Sequence, residues 1–167
     1  MPLNVRTGES HDLSRLVDIY NYYVSETHIT FDTEPFAVGA RTHWFTQFAE
    51  EGPYRLFVGE VDDEVIGYAC SQPFKPKPGY RSSVETTVYL DPAHTGCSHG
   101  KQLYGHLIAT LEREEAAHRA YGGIALPNPA SIKLHEQLGF VHVASYHEVG
   151  FKHGKYWDVN WYEKELS

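Results

Sequence analysis

The spacing of hydrophobic positions changes several times along the chain, and each change marks an element. From His11 to Glu26, apolar residues fall at Leu13, Leu16, Val17, Tyr20 and Val24, the spacing of an amphipathic helix. Leu3–Arg6 ahead of it predicts a short first strand. Residues 27–35 (THITFDTEP) are broken by proline and read as a loop, and 38–51 predicts a second helix stopped by Gly52 and Pro53. Two strand-like runs, 55–61 and 64–72, flank Asp62 and Asp63, a pair suited to a hairpin turn. After the proline-broken KPKPGY at 75–80 comes SSVETTVYL at 82–90, whose β-branched residues predict a strong strand.

The second half repeats these signals. A stripe of Leu103, Leu107, Ile108 and Leu111 predicts a helix over 102–118, followed by a short strand at 121–126. Asn128 is a good N-cap and Pro129 suits the first helical position; Gly139 then ends that helix after Leu138. Residues 140–145 and 157–163 alternate as two closing strands. The resulting order, β-α-α-β-β-β-α-β-α-β-β, fits an α/β fold: a mixed α+β arrangement with helices on the faces of a mixed sheet. A chain of 167 residues predicts one domain spanning 1–167.

Composition narrows the function. A net charge of -8 argues against a surface that tracks nucleic-acid phosphates. The aromatic content of 14% is enough for a firm core or a ring-lined pocket. Two cysteines, Cys70 and Cys97, with no C-x-x-C, predict no disulfide framework. The N-terminus MPLNVRTGES lacks an apolar leader and no run of 18 apolar residues occurs, so the expectation is a soluble cytoplasmic protein without a membrane segment.

Three places carry candidate chemistry. Along 81–90, Val84, Thr86, Val88 and Leu90 fall on one face; Arg81, Ser83, Glu85, Thr87 and Tyr89 fall on the other. The second face reads either as a structural ion pair or as a general base, Glu85, with Arg81 holding an anionic substrate group. Lys75 and Lys77 could join Arg81 or simply be solvated, and Phe31 and Trp157 could wall a pocket or belong to the core. The loop DPAHTGCSHGKQLY at 91–104 sits between a strand and a helix, where free N–H groups and the helix dipole favour an anion. His94, Cys97, His99 and His106 match no usual zinc spacing, so no metal is expected. His135 in PASIKLHEQL lacks the second histidine of a metalloprotease helix.

Taken together, VETTVYL, the Gly-bearing loop, a long helix and NPASIKLHEQLGF resemble the GNAT superfamily of N-acetyltransferases, and its phosphinothricin acetyltransferase branch in particular. IYNYYVSETHITFDTEPF, YRSSVETTVYLDPAH and GFKHGKYWDVNWYEKEL carry the same likeness, which runs from about residue 4 to the C-terminus. The resemblance implies the GNAT fold, a mostly antiparallel mixed sheet with a splayed parallel pair. It implies transfer of acetyl from acetyl-CoA to an amine, without metal or covalent enzyme intermediate. By the same likeness Val88, Tyr89 and Leu90 would contact pantetheine, as would Asn128, and Thr95, Gly96, Cys97, Ser98, His99, Gly100 and Lys101 would cradle the pyrophosphate. Glu85 would be the general base, and His135 would assist the leaving thiolate where most of the superfamily has tyrosine.

The loop departs from the usual Q/R-x-x-G-x-G/A. Thr95 lacks a long side chain that could reach phosphate, and Ser98 adds a Cβ that costs on the order of 1 kcal/mol if the position needs a positive φ. The expected acceptor is a small amino acid or analogue of the phosphinothricin, methionine sulfone or methionine sulfoximine type. The alternatives are a protein or peptide N-terminus, or a CoA-binding module without catalysis. The branch also implies a homodimer.

Overall fold

Hydrogen bonding in a computed structural model describing all 167 residues joins seven strands into one sheet. They are β1 (Asn4–Thr7), β2 (Leu56–Val61), β3 (Glu64–Pro73), β4 (Ser83–Leu90), β5 (Arg119–Ala125), β6 (Val141–Lys152) and β7 (Lys155–Glu165). Their order across the sheet is β1-β2-β3-β4-β5-β7-β6, antiparallel throughout except for the pair β4–β5. Four α-helices cover it: α1 (Leu13–Glu26), α2 (Thr42–Phe45), α3 (His99–Leu111) and α4 (Pro129–Gln137). No helix is long and apolar enough to cross a membrane.

Strand alternation sends β2 and β3 side chains to two cores. Leu56, Val58, Tyr68 and Cys70 meet Leu16 and Ile19 of α1 on one face. Phe57, Ala69 and Val84 meet Leu103, Leu107 and Leu111 of α3 on the other. Burying each such leucine is worth about 1.5–3 kcal/mol. The stripe read from the sequence of α1 is buried in full, and so is that of α3. On β4 the split also follows the sequence: Val84 and Thr86 are buried toward α3, whereas Tyr89 packs on the α1 side.

Three boundaries differ from the sequence reading. The helix expected over 38–51 is reduced to a 3-10 turn, Val38–Arg41, and the four residues of α2. Trp44, Phe45 and Phe48 still pack on the α1 core, so burial of these rings matters more here than helix length. The helix expected over 102–118 begins at His99 and stops at Leu111, where Glu112, Glu114 and Glu115 would oppose the negative end of its dipole. The closing strands run far beyond 140–145 and 157–163. They form a long hairpin turned by His153 (φ 51) and Gly154 (φ 71), both in the conformation a tight two-residue turn requires. Register shifts near His142/Ala144 and between Tyr146 and Gly150 break the alternation that would have revealed the full length of β6.

Candidate active site

The opening in the sheet follows from one pairing. β4 and β5 are hydrogen-bonded only at Ser83↔Arg119, Val84↔Ala120 and Glu85↔Tyr121, yet β4 continues to Leu90 and β5 to Ala125. Beyond Glu85 the two strands part and leave backbone donors and acceptors of both without a partner strand. Such a bare edge in the middle of a sheet demands a ligand or solvent.

Glu85 stands at the head of this opening. Its carboxylate makes no hydrogen bond within the protein, and burial raises its pKa above the ordinary carboxylate value, with Lys75 pulling the other way. It lines a cavity of about 280 Å³ together with Tyr20, Asp32, Arg41, Gln72 and Tyr89. A half-buried carboxylate without partners is a stronger proton acceptor than an exposed one.

Arg81, expected beside Glu85, lies elsewhere. The chain turns through a 3-10 segment, Pro78–Tyr80, before β4 begins, and this carries Arg81 off the strand. It lines a separate cleft of about 530 Å³ with Lys75 and Lys77 that shares only Gln72 with the Glu85 cavity. No Arg81–Glu85 ion pair forms. The cation in the Glu85 cavity is instead Arg41, flanked by Trp44, Phe36 and Tyr20 with its Cζ 4.4, 4.9 and 5.0 Å from their ring centroids.

The loop after α1 supplies another wall and is held from far along the chain. Lys152, 4% exposed at the end of β6, donates to the Thr30 carbonyl at 2.7 Å and to the Tyr23 carbonyl at 3.4 Å. Phe31 packs its ring over Gly150 of the same strand, where an added Cβ would come within 2.2 Å of it. Phe31 therefore anchors the loop to the hairpin, while its neighbours Thr30 and Asp32 face the cavity. Tyr20 ties them together, sharing a hydrogen bond with Thr30 (2.7 Å) and donating to Asp32. Trp157 stacks on His28 at 4.3 Å behind this loop.

His135 occupies the opposite face. It is 5% exposed, with Nδ1 2.8 Å from the Ser131 carbonyl and Nε2 3.1 Å from the Tyr104 hydroxyl. A carbonyl can only accept, so Nδ1 carries the proton, Nε2 accepts from Tyr104, and Tyr104 in turn accepts from Thr86 at 2.6 Å. Burial lowers the pKa of this imidazole, against the raising effect of the Ser131 carbonyl. Gly122 of β5 makes the close approach possible: a Cβ there would sit 2.5 Å from His135 Nε2.

The loop 91–98 ends at the N-terminus of α3. Arg15 pins its start through Asp91 at 2.6 Å. Gly96 (φ 80) and Ser98 (φ 63) are both left-handed, so the strain foreseen for Ser98 is present. Thr95, Gly96, Cys97, Ser98 and Lys101 are exposed, and Gly100 sits in the first turn of α3. His99 is 8% exposed, and its Nδ1 is a buried polar atom without a partner. The free N–H groups of the first turn of α3 suit an anionic ligand. Asn128 caps α4, its Oδ1 accepting from the Ser131 N–H at 3.2 Å. Its amide nitrogen makes no such bond. Val88 and Leu90 pack against the α3 core from the diverging part of β4. The bare edge of β4 and the free N–H groups at the start of α3 are donors of the kind that would hold an acetyl-CoA. No three His, Cys, Asp or Glu side chains come together as metal ligands.

Sequence reasoning missed Arg41, Asp32, Tyr20 and Lys152. The only signal for Arg41 was a cation set among aromatic residues in FAVGARTHWF, which no periodicity distinguishes from a surface turn, and the other three carried none.

Comparison with known proteins agrees with this geometry. The Acetyltransferase (GNAT) family matches residues 16–140. The chain is 51% identical to a phosphinothricin N-acetyltransferase of Streptomyces coelicolor over 98% of its own length and 96% of that protein's. It is 31% identical to an L-methionine sulfoximine/L-methionine sulfone acetyltransferase of Salmonella typhimurium, covering 99% and 95%. A solved GNAT superfamily phosphinothricin acetyltransferase from Sinorhizobium meliloti, in complex with acetyl-CoA, superposes with a TM-score of 0.94 at 27% identity, covering 100% of this chain and 90% of that one. The chain belongs to the GNAT family of acetyltransferases. It is accordingly an acetyl-CoA-dependent N-acetyltransferase.

Proposed function

We propose that the chain acetylates the primary amine of a small amino acid or analogue, of the phosphinothricin, methionine sulfone or methionine sulfoximine class named for its relatives. The observation that carries this reading is the Glu85 cavity. It is about 280 Å³, the size of a single small molecule, and it joins an unpaired carboxylate to the point where β4 and β5 part. Acetyl-CoA, when bound, supplies the activated acetyl thioester. Glu85 takes a proton from the acceptor ammonium, directly or through a water, leaving the amine free to attack. An N–H of the bare β4 edge near Tyr89 is suitably placed to stabilise developing negative charge on the acetyl oxygen.

His135 is assigned the assisting role at the leaving sulfur, acting together with Tyr104. The support is their position under Gly122, on the floor of the opening. In the resting arrangement both ring nitrogens are engaged, so His135 holds its proton at Nδ1 rather than presenting it.

A cavity of this volume lined by Tyr20, Trp44 and Tyr89 suits a single small acceptor better than a peptide chain. A thiol-release assay with methionine sulfone, methionine sulfoximine, phosphinothricin and a short peptide tests the assignment. Turnover confined to the amino acids is expected; turnover confined to the peptide overturns it. The chain is also read as a homodimer. β6 is the outer edge of the sheet and leaves Val141, Val143, Tyr146, Val149 and Phe151 exposed, an apolar edge that an antiparallel second copy of β6 would cover. Sedimentation showing only monomer at micromolar concentration would refute that.

A further inference from the structure

Arg41 is the cation of the acceptor cavity, and the reaction as described leaves it without a task. Its guanidinium has no carboxylate or hydrogen-bond partner in the protein, although Asp32 lines the same cavity. Three rings flank it, which fixes the long side chain and shields its faces while leaving N–H donors for whatever enters. It is set by the short turn Val38–Arg41 and α2, the segment that replaced the expected longer helix. The same cavity is lined by two carboxylates, Glu85, which has no partner, and Asp32, which accepts from Tyr20. A cavity that holds an unpaired cation and an unpaired carboxylate complements a zwitterion.

Resting on the acetyl-acceptor reading above, we infer that Arg41 binds the carboxylate of the acceptor amino acid and orients its amine toward Glu85. The sequence offered Arg81 for this task, but Arg81 is exposed in the neighbouring cleft with Lys75 and Lys77. Arg41 differs in being enclosed within the Glu85 cavity itself. A guanidinium–carboxylate fork there fixes one end of the substrate, so the free amine has few orientations left. The inference also sets a limit on acceptors: an amine without a neighbouring anion enters the same cavity but leaves Arg41 unpaired, which carries a desolvation cost.

The test is a cycle between protein and substrate. Methionine sulfone and its α-carboxamide are compared as acceptors for the wild-type chain, for Arg41→Met, which keeps the apolar contact with the rings, and for Arg81→Met. The wild type is expected to favour the acid over the amide by about 10- to 100-fold in kcat/KM, the effect of one charge-assisted pair. In Arg41→Met that ratio falls to near 1, with most of the change in KM. Arg41→Lys, which keeps charge but loses the fork, gives an intermediate ratio and serves where the methionine variant does not fold. A wild-type ratio surviving in Arg41→Met, or collapsing in Arg81→Met alone, overturns the inference and leaves the acetyltransferase assignment standing. Failure of the wild type to acetylate either compound overturns both.

Discussion

Glu85 and His135 flank the same opening in the sheet, and the fold treats them in opposite ways. Glu85 faces a cavity with no protein partner, and burial raises its pKa. His135 lies on the far face with both nitrogens hydrogen-bonded, and burial lowers its pKa. In each case low polarity favours the neutral form, but only Glu85 is left with a bonding demand that a substrate can meet. An unsatisfied polar group at a cavity is placed to do chemistry; a satisfied one in the core is placed to hold geometry.

Substitutions at the two positions should therefore fail differently. Glu85→Gln is nearly isosteric and removes the base, so kcat should fall about 10²- to 10⁴-fold while acetyl-CoA affinity, read by isothermal titration, stays within about twofold. A variant retaining near-wild-type kcat would remove Glu85 from the reaction. His135→Ala leaves a cavity and strands the Tyr104 hydroxyl, which should lower stability by about 2–4 kcal/mol in urea unfolding. If activity per folded molecule survives that loss, His135 is purely a positioning residue; if it falls as well, the assisting role holds.

Varying the pH separates the pair by sign. Glu85 has a raised folded pKa, so its contribution to stability is present below the ordinary carboxylate value and lost as pH rises through the folded one. His135 has a lowered folded pKa, so its contribution is full above the ordinary imidazole value and lost as pH falls toward the folded one. Between pH 7 and 5 the wild type should lose more stability than a folded His135→Asn variant, whereas Glu85→Gln, which lacks the stabilisation Glu85 regains on protonation, should lose at least as much as the wild type. In activity, the acidic limb of kcat/KM should lie above the usual carboxylate range, as a raised base requires. The smallest effect is expected at the loop. Ser98→Gly relieves a residue that is left-handed before any ligand binds, so it should add about 0.5–1 kcal/mol of stability in urea unfolding and leave acetyl-CoA affinity within about twofold. No gain in stability would mean that the turn accepts Ser98 without strain.

Elements with strong local signals were legible in advance. The stripes of α1 and α3, the β-branched run of β4, and the Asn128–Pro129 start of α4 each reflect a constraint satisfied within a few residues. Glu85 was legible for the same reason, because strand alternation puts it on the face opposite Val84 and Thr86. The closing antiparallel pair of β6 and β7 was legible as well, but not its length, since bulges erase the alternation along β6 and its apolar residues face outward. Arg81 misled because alternation was extended one turn past the end of the strand.

The sequence by itself determined the order of elements, the two core faces and the face of β4 that carries Glu85, since side-chain period and backbone preference are local. Only the tertiary structure decided which cation shares a cavity with that carboxylate and which loop walls it. It also decided that His135 lies satisfied beneath Gly122. Those outcomes depend on contacts between Arg41 and Glu85's cavity, or between Lys152 and Thr30, that join distant stretches of chain. Long-range packing sets them, and no periodicity in the chain records it.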